Sequence, residues 1–241
     1  MSVMTWMETG GEVARNKVSL QRLYARDSAL SAWPDKSNHA FIGIHLVERS
    51  IALLARELSG DLLDVGCGTA PYDAYLGHVR SKRNCDYNPR RGTVDFVSSA
   101  VALPIKECSF DSILCTEVLE HVPNPHATWS EFHRVLRPGG RVLLATPMWW
   151  PSHEQPFDFY RYPEHGLRYL AEQNGFQVLE LMPRGGVWAL WGQVTLQAMP
   201  QYFRFEWQRV WWNRTLLALD RWRNNAQLTL GWTMLAEKPR A

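Results

Sequence analysis

Residues 39–59 carry apolar side chains at spacings of three and four, the pattern of a helix that buries one face. This stripe consists of Ile44, Val47, Ile51, Leu54 and Leu58. Gly60 follows and is predicted to end the helix, because glycine readily adopts the left-handed conformation that closes a last turn. A short apolar run that contains one acid, residues 61–65, comes next and is predicted to be a buried strand.

Short apolar runs and helical stripes continue to alternate as far as residue 181, which predicts an α/β domain built on a parallel sheet. Further strands are predicted at residues 82–86, 95–97, 110–115, 141–145 and 176–181, and helices at residues 72–79, 125–136 and 163–174. Before this region, a short helix is predicted over residues 13–26 of an otherwise loose tail.

Two glycines two residues apart, Gly66 and Gly68, follow the first strand. Such a turn lets the backbone leave the strand sharply and lie against a ligand. A dinucleotide site would need a third glycine at residue 71, where this chain has proline. Asp86 ends the second strand 22 residues after Asp64, close to the spacing at which nucleotide-binding α/β folds place an acid on a ribose.

Four stretches match motifs that occur together in one protein family. Residues 64–70 are similar to the motif acid-x-G-x-G-x-G, with Ala70 in place of the third glycine. Residues 98–104 are similar to G-D-A-x-x-L-P, with Ser99 in place of the acid. Residues 116–125 (TEVLEHVPNP) resemble E-x-L-E-H-V-P-x-P, and residues 136–140 (LRPGG) match L-x-P-G-G. In these motifs the chain resembles the class I S-adenosylmethionine-dependent methyltransferases of the methyltransferase type 11 group.

The resemblance implies a Rossmann-like three-layer α/β sandwich with a seven-stranded, mostly parallel sheet. Its seventh strand, expected at residues 229–236, would be antiparallel. The implied organisation is an N-terminal tail or lid at 1–38, a cofactor-binding core at 39–182, a helical insertion at 183–227, and the last core strand at 228–241.

The resemblance also implies the cofactor S-adenosyl-L-methionine, with S-adenosyl-L-homocysteine as the product. The residues expected to bind it are Asp64, Gly66, Cys67, Gly68, Asp86, Tyr87, Ser99, Ala100, Thr116 and Glu117. Within this set, Asp86 would bind the ribose and Tyr87 would stack on the adenine. Ser99 stands where the family usually has an acid, so adenine recognition would rely on its hydroxyl and on the backbone N–H of Ala100.

Two histidines follow strand ends at the edge of the sheet where the transferred methyl group is expected, His121 after the fourth strand and His153 after the fifth. Imidazole is the best-suited general base near neutral pH. We favour His153 as the base, because it lies in a segment rich in aromatic and charged residues where an acceptor would bind. His121 is equally well explained as a structural residue at a helix start.

Glu117-x-x-Glu120-His121 resembles the spacing that binds a divalent metal in ubiquinone O-methyltransferases and in small-RNA 3′-end methyltransferases. Two carboxylates and an imidazole can form an open Mg²⁺ or Mn²⁺ site. We do not favour a metal here, since hard cations prefer oxygen ligands to imidazole.

Residues 183–227 separate the sixth predicted strand from the seventh and are rich in tryptophan and arginine. These residues are Trp188, Trp191, Trp207, Trp211, Trp212 and Trp222, with Arg204, Arg209, Arg214, Arg221 and Arg223. We expect a helical cover that closes one side of the acceptor site. A homodimer surface, an apolar acceptor pocket and a helix lying on a membrane are alternatives, because Trp and Arg each combine an apolar body with a polar end.

Composition limits the possible functions. The 241 residues fit one α/β domain with a helical addition, and 46% apolar residues exclude a disordered chain. A net charge of +2 argues against a nucleic-acid substrate, which needs clustered Lys and Arg. The four cysteines include no CxxC pair, so we expect reduced thiols in a cytoplasmic protein. No signal peptide or apolar run of membrane-spanning length is evident in the sequence.

These observations favour a methyltransferase that acts on a hydroxyl of a small molecule, such as a sugar, a natural product or a lipid-linked intermediate. The alternatives are an RNA or protein methyltransferase and a cofactor-binding interaction protein without catalysis. Loss of the usual acid at Ser99 and of the usual glycine at Ala70 would fit the last of these.

Overall fold

The computed structural model describes residues 35–88, 94–222 and 225–240. The predicted tail or lid, its helix at 13–26, and Arg223 lie outside the described residues, apart from the short stretch 35–38. The first described helix, α1, covers Phe41–Leu54, and a 3-10 turn at Ala55–Glu57 extends it. His45 lies on α1 and stacks on Phe41.

A seven-stranded sheet forms the centre of the fold. Its strands are β1 (Asp61–Val65), β2 (Ser81–Asp86), β3 (Phe96–Val97), β4 (Phe110–Thr116), β5 (Leu136–Pro147), β6 (Gln177–Pro183) and β7 (Gly231–Glu237). They lie in the order β3-β2-β1-β4-β5-β7-β6. The pairs β2–β3, β1–β2, β1–β4 and β4–β5 are parallel, whereas β7 runs antiparallel to β5. The predicted Rossmann-like α/β fold with an antiparallel seventh strand is therefore confirmed.

The strand order places the ligand edge of the sheet. The chain passes outward from β1 to β2 and β3, then returns to β4 on the other side of β1. Open α/β sheets bind ligands outside the carboxyl ends of their strands, where this order reverses. The loops that follow β1, β2 and β4 therefore meet at the expected ligand edge.

Two helices that follow strands ending at this edge contribute side chains to the hydrophobic core beside the sheet. They are α2 (Pro125–Val135) and α3 (Glu164–Gln173). Asn124 caps α2 by accepting the N–H of Ala127, and Pro125 occupies the first turn, where it has no N–H to satisfy. Trp129 of α2 is fully buried and meets the ring of Phe176 edge-on, which fixes α2 beside the start of β6.

The chain divides into two compact units. One unit holds the sheet and consists of Ile51–Leu181 with the chain from Gly231 onward. The other combines Met182–Leu230 with the chain up to Ser50, and it contains the helices α4 (Val187–Ala198) and α5 (Glu206–Trp222). Inside this second unit, a Cβ added to Gly192 of α4 would lie 3.0 Å from the Leu216 side chain of α5, so the two helices approach closely at this glycine.

The predicted helix at 72–79 is wrong, since the structure has only a 3-10 turn at Asp73–Tyr75 there. The segment is short, holds Gly77, and offers no run of strong helix formers that would offset the cost of starting a helix. The predicted role of Gly60 as a helix end is also wrong, because the helical turns already end at Glu57. Gly60 is required for another reason. Its φ is +66°, and an added Cβ would lie 2.1 Å from a carboxylate oxygen of Asp111, so close packing before β1 leaves no room for a side chain.

Strand β5 begins five residues earlier than the prediction. Leu136 pairs with Phe110, and pairing resumes only at Arg141 opposite Ser112, so the LRPGG segment forms a bulge inside the strand. None of the helices in the described part of the chain has the length and apolar character of a membrane span.

Candidate active site

The glycine turn after β1 is tied to the end of β2. The N–H groups of Gly66 and Cys67 donate to the carbonyl oxygen of Cys85, at 2.8 and 3.1 Å. Gly66 has a φ of +70°, and an added Cβ would lie 2.2 Å from Cγ2 of Val118. Any side chain at residue 66 would therefore both strain the backbone and collide with the loop after β4.

Asp86 closes this turn from the neighbouring strand. One of its carboxylate oxygens accepts the N–H of Gly68 at 2.9 Å, and the other accepts the N–H of Asn88 at 2.7 Å. Asp86 is buried to 9% exposure at the carboxyl end of β2. The structure thus holds a carboxylate across the glycine turn at the ligand edge, and ribose binding by Asp86 stays a prediction.

Asp64 lies beneath the turn on β1 and is 3% exposed. Burial raises the pKa of its carboxyl to about 7, and nearby Asp73 and Asp86 act in the same direction against Lys82. The carboxyl therefore changes charge near neutral pH, two residues before the glycine turn.

Three residues in the loops at the ligand edge, Ala70, Glu117 and Glu154, have left-handed backbone conformations that are unusual for residues other than glycine. Ala70 has a φ of 51°, and Glu117 has a φ of 54°. The N–H of Glu117 donates to Ala145 of β5 at 2.9 Å, which holds the strained residue directly after β4 and Thr116. Such strain is most often retained where a ligand or a catalytic group has to be positioned.

The segment expected to hold the adenine is organised by its own turn. The Ser99 hydroxyl accepts the N–H of Val101 at 3.4 Å, and the neighbouring Ala100 is buried. Leu103 is anchored to α2, because its N–H donates to Glu131 at 2.7 Å. Tyr87, by contrast, is 76% exposed after β2.

The loops after β4 and β5 bring Glu120, His121 and His153 together. Each offers one possible ligand atom, and these three atoms lie within 4.8 Å of one another. The rings of His121 and His153 meet edge-on with centroids 4.7 Å apart, and Nε2 of His121 lies 3.8 Å from Glu120. Both predicted catalytic histidines therefore belong to one cluster beside a fully buried carboxylate.

Backbone carbonyls set the orientation of both imidazoles. Nδ1 of His121 lies 2.6 Å from the carbonyl oxygen of Phe157, and Nδ1 of His153 lies 3.1 Å from that of Pro151. A carbonyl oxygen can only accept a hydrogen bond, so Nδ1 of each ring carries the proton. In the neutral form, Nε2 of each ring then keeps its lone pair and can accept a proton or bind a cation.

An aspartate–arginine pair, which the sequence analysis did not single out, shapes the loop around His153. Asp158 accepts the backbone N–H of His153 at 3.1 Å, and its carboxylate lies 3.6 Å from Nδ1 of the same ring. Arg161 donates to both carboxylate oxygens of Asp158 and to the carbonyl oxygens of Trp150 and Pro151. This guanidinium holds the pKa of Asp158 well below its usual range, so the pair stays charged. The two residues lie three apart in a loop, where this spacing does not by itself predict an ion pair.

The same loop folds back on the loop after β4. The N–H groups of Phe159 and Tyr160 lie 2.9 and 3.3 Å from the carbonyl oxygen of Glu120, and the hydroxyl of Tyr162 donates to Leu119 at 3.1 Å. Burial and the nearby Glu120 raise the pKa of Tyr162, which therefore stays protonated. These bonds between the two loops place His121 and His153 side by side.

The structure changes the membership of the possible metal-binding group. Within the described residues, the metal-capable group comprises Glu120, His121 and His153, and Glu117 is not part of it. The Glu117-x-x-Glu120-His121 set considered from sequence is thus replaced by one carboxylate and two imidazoles. Such a ligand set suits transition metals better than Mg²⁺.

Comparisons with known proteins agree with the fold and the motifs. A family model described as a methyltransferase domain matches residues 63–144. A methyltransferase of uncharacterised function from Mycobacterium bovis is 35% identical over 116 residues, which cover 41% of this chain and 45% of the relative. The chain thus spans about half the length of that relative.

Two further proteins extend the comparison. The O-methyltransferase rstn1 of Aspergillus nomiae is 25% identical over 175 residues, which cover 61% of this chain and 78% of the relative. The structure of phosphoethanolamine N-methyltransferase 2 from Haemonchus contortus, in complex with S-adenosyl-L-methionine, has a TM-score of 0.53 at 13% identity. That likeness covers 89% of this chain and 61% of the other, and it bears on the fold alone. In its sheet order, its glycine turn and the methyltransferase domain that matches residues 63–144, this chain is similar to the class I S-adenosylmethionine-dependent methyltransferases.

Proposed function

We propose that the protein transfers a methyl group from S-adenosyl-L-methionine to a hydroxyl of a small molecule, such as a sugar, a natural product or a lipid-linked intermediate. The observation that carries this proposal is the histidine pair at the ligand edge. His121 and His153 lie beside the buried Glu120, each with Nδ1 on a backbone carbonyl. A hydroxyl acceptor has a proton to lose, and this pair offers two ring nitrogens that can take it.

The reaction needs little from the protein beyond alignment and proton removal. When bound, S-adenosyl-L-methionine would supply a methyl group on a sulfonium: the acceptor oxygen would bond to the methyl carbon as the carbon–sulfur bond breaks, leaving a neutral thioether. The hydroxyl proton passes to Nε2 of His153. Asp158 holds the backbone of His153, and its carboxylate beside the ring would stabilise the imidazolium that forms. Alignment of acceptor, methyl and sulfur supplies the rest of the rate enhancement.

Two further observations support a small acceptor molecule with an oxygen nucleophile. The relative rstn1, which is 25% identical to this chain, carries the name O-methyltransferase. The net charge of +2 gives little attraction for the phosphates of a nucleic acid. The expected cytoplasmic location and a possible homodimer belong to the same proposal.

Replacement of the proposed base is the direct test. His153→Ala is expected to lower kcat by about 10²–10⁴-fold, the usual contribution of a general base, with little change in cofactor affinity. The acceptor is first found by incubating cell extract with labelled cofactor and tracing the label by mass spectrometry in small-molecule, RNA and protein fractions. His165→Ala, at an exposed histidine of α3, is the matched control and should retain the parent rate.

Other results would replace this mechanism or the proposal itself. If His153→Ala is mild, His121→Ala is severe and a chelator reversibly stops the parent enzyme, a metal held by Glu120 and the histidines would replace the base. Label in RNA or protein would contradict the small-molecule acceptor. Cofactor binding by calorimetry without label in any fraction would favour a non-catalytic binding protein.

A further inference from the structure

The outer face of α5 carries a continuous row of tryptophan and arginine. The residues of this aromatic stripe are Trp207, Trp211, Arg214, Ala218, Arg221 and Trp222, and all six are exposed. At 3.6 residues per turn they fall within about 100° of the helix circumference. Trp207, Trp211 and Trp222 are 67%, 61% and 74% exposed, which leaves roughly 400 Å² of indole surface uncovered.

The opposite face of α5 packs inside its own unit. Asn213, Leu216 and Asp220 are buried on it. Asn213 donates to the carbonyl oxygen of Lys36 at 2.8 Å, and Asp220 accepts backbone N–H groups at the start of α4. The ring of Trp212 meets Trp191 and donates to the carbonyl oxygen of Gly192. These contacts among the described residues leave Trp207 and Trp211 exposed on the outer face.

The residues just before α5 continue the same chemistry. Met199, Tyr202 and Phe205 are exposed, at 49%, 68% and 60%, and Arg204 among them is exposed as well. Single exposed apolar residues are ordinary, but an exposed cluster of this size marks an interaction surface. Aromatic rings next to guanidinium groups are typical of segments that lie at the level of lipid headgroups.

We propose that the aromatic stripe binds α5 in the plane of an anionic membrane surface. The stripe holds arginines and no acidic residue, so its charge is complementary to anionic headgroups. The tryptophan rings would enter the boundary between headgroups and acyl chains, as on other interfacial helices. The 17 residues of α5 include Glu206 and the buried Asp220, in keeping with a helix that lies on a bilayer and does not cross it. Membrane binding by α5 does not depend on which acceptor is methylated.

Charge favours a membrane over a second copy of the chain. In a two-fold symmetric dimer the same surface patch lies on both subunits, so the stripe would face itself. Arg214, at the middle of α5, would then approach Arg214 of the other copy. Anionic lipid supplies the missing negative charge.

Vesicle co-sedimentation of the full chain tests the proposal, with phosphatidylcholine vesicles that contain or lack about one third phosphatidylglycerol. The protein is expected to bind the anionic vesicles, and binding should weaken as salt is raised. Trp207→Ser/Trp211→Ser should lower partitioning roughly tenfold or more. Arg204→Gln/Arg214→Gln should lower it roughly 30-fold on anionic vesicles, at about 1 kcal/mol for each cation near the surface.

Tyr169→Ser/Leu179→Ser is the matched control, because it removes two exposed apolar side chains from the unit that holds the sheet. This variant should bind vesicles as the parent does, and circular dichroism and thermal unfolding check that every variant is folded. Absence of parent binding to anionic vesicles would overturn the proposal. Equal losses in the control and the tryptophan variant would also overturn it. So would a parent dimer in sedimentation equilibrium that the tryptophan variant dissolves, because the stripe would then be a dimer surface.

Discussion

Asp86 and Asp220 are both buried carboxylates that accept backbone N–H groups, but they lie in different units and have different surroundings. Asp86 accepts from Gly68 and Asn88 at the ligand edge of the sheet and retains 9% exposure. Asp220 accepts from Gly186, Trp188 and Ala189 at the start of α4 and is fully buried. Asp86 lies at the ligand edge, where it is predicted to bind a ligand hydroxyl, whereas the N–H groups that Asp220 accepts are buried inside the unit.

The difference shows how similar hydrogen bonding can serve binding or stability. A carboxylate at the mouth of a site can exchange a backbone partner for a ligand hydroxyl at little net cost, because both are hydrogen-bond donors. A carboxylate that accepts the first N–H groups of a buried helix cannot exchange them for a ligand, since those N–H groups have no other acceptor within the helix. We therefore expect substitutions at Asp220 to affect unfolding and those at Asp86 to affect cofactor binding.

The largest effect is expected for Asp220→Ala, which should lower the free energy of unfolding by about 3–5 kcal/mol, because three backbone N–H groups at the start of α4 lose their acceptor. Chemical denaturation measures this loss. Asp220→Asn keeps one acceptor oxygen and should lose less, and Glu206→Ala, at an exposed acid of α5, should lose little. Equal stability of Asp220→Ala and the parent would show that the cap contributes nothing.

The buried carboxyl of Asp64, which does not cap a helix, should make the free energy of unfolding depend on pH. Its pKa of about 7 lies above the value of 3.8 expected in the unfolded chain. The unfolded state therefore loses this proton first, and the stabilisation present below pH 4 is lost as pH rises to about 7. The loss should reach up to about 4 kcal/mol, at 1.36 kcal/mol per pKa unit. Unfolding measured from pH 4 to 8 should show a smaller decline in Asp64→Asn, and parallel curves for the two proteins would exclude the effect.

A smaller effect is expected for Asp86→Ala, which should weaken S-adenosylhomocysteine binding by about 1–3 kcal/mol, the cost of a lost bond to a charged group. Calorimetry gives the affinity. Asp95→Ala is the matched control, because Asp95, like Asp86, accepts a backbone N–H, in this case that of Asn84 in β2, at 2.7 Å. Affinity that falls equally in both variants would point to general loosening of β2, and unchanged affinity in Asp86→Ala would remove Asp86 from the ribose.

The smallest effect is expected for Ala70→Gly in the glycine turn. The left-handed conformation of Ala70 costs about 1–2 kcal/mol, and glycine relieves it but adds about 0.4–1 kcal/mol of unfolded-chain entropy. A net gain of about 0.5–1 kcal/mol in the free energy of unfolding is expected. Ala102→Gly, at an exposed alanine without a positive φ, should instead lower stability. A loss of stability in Ala70→Gly would contradict the assigned strain.

Local patterns in the sequence predicted the sheet and its motifs well. Buried strands leave continuous apolar runs, so β1 and β4 were located to within one residue and β5 to within five, and the family motifs predicted a methyltransferase domain. The helix expected at 72–79 failed because helix formation over so few residues depends on packing that the sequence does not display. Predicted adenine contacts at Ser99 and Tyr87 remain predictions.

The sequence by itself determined the succession of strands along the chain and the glycine turn at 66–68. It also showed that His121 and His153 follow strands that end at one edge of the sheet. Only the tertiary structure placed those histidines 4.7 Å apart beside Glu120, joined Asp158 to Arg161 around His153, and brought Asp220 to the start of α4, more than thirty residues earlier. Apolar runs and glycine turns are consequences of neighbouring residues and can be recognised locally. Contacts between distant side chains depend on how loops and helices pack, and spacing along the chain does not encode them.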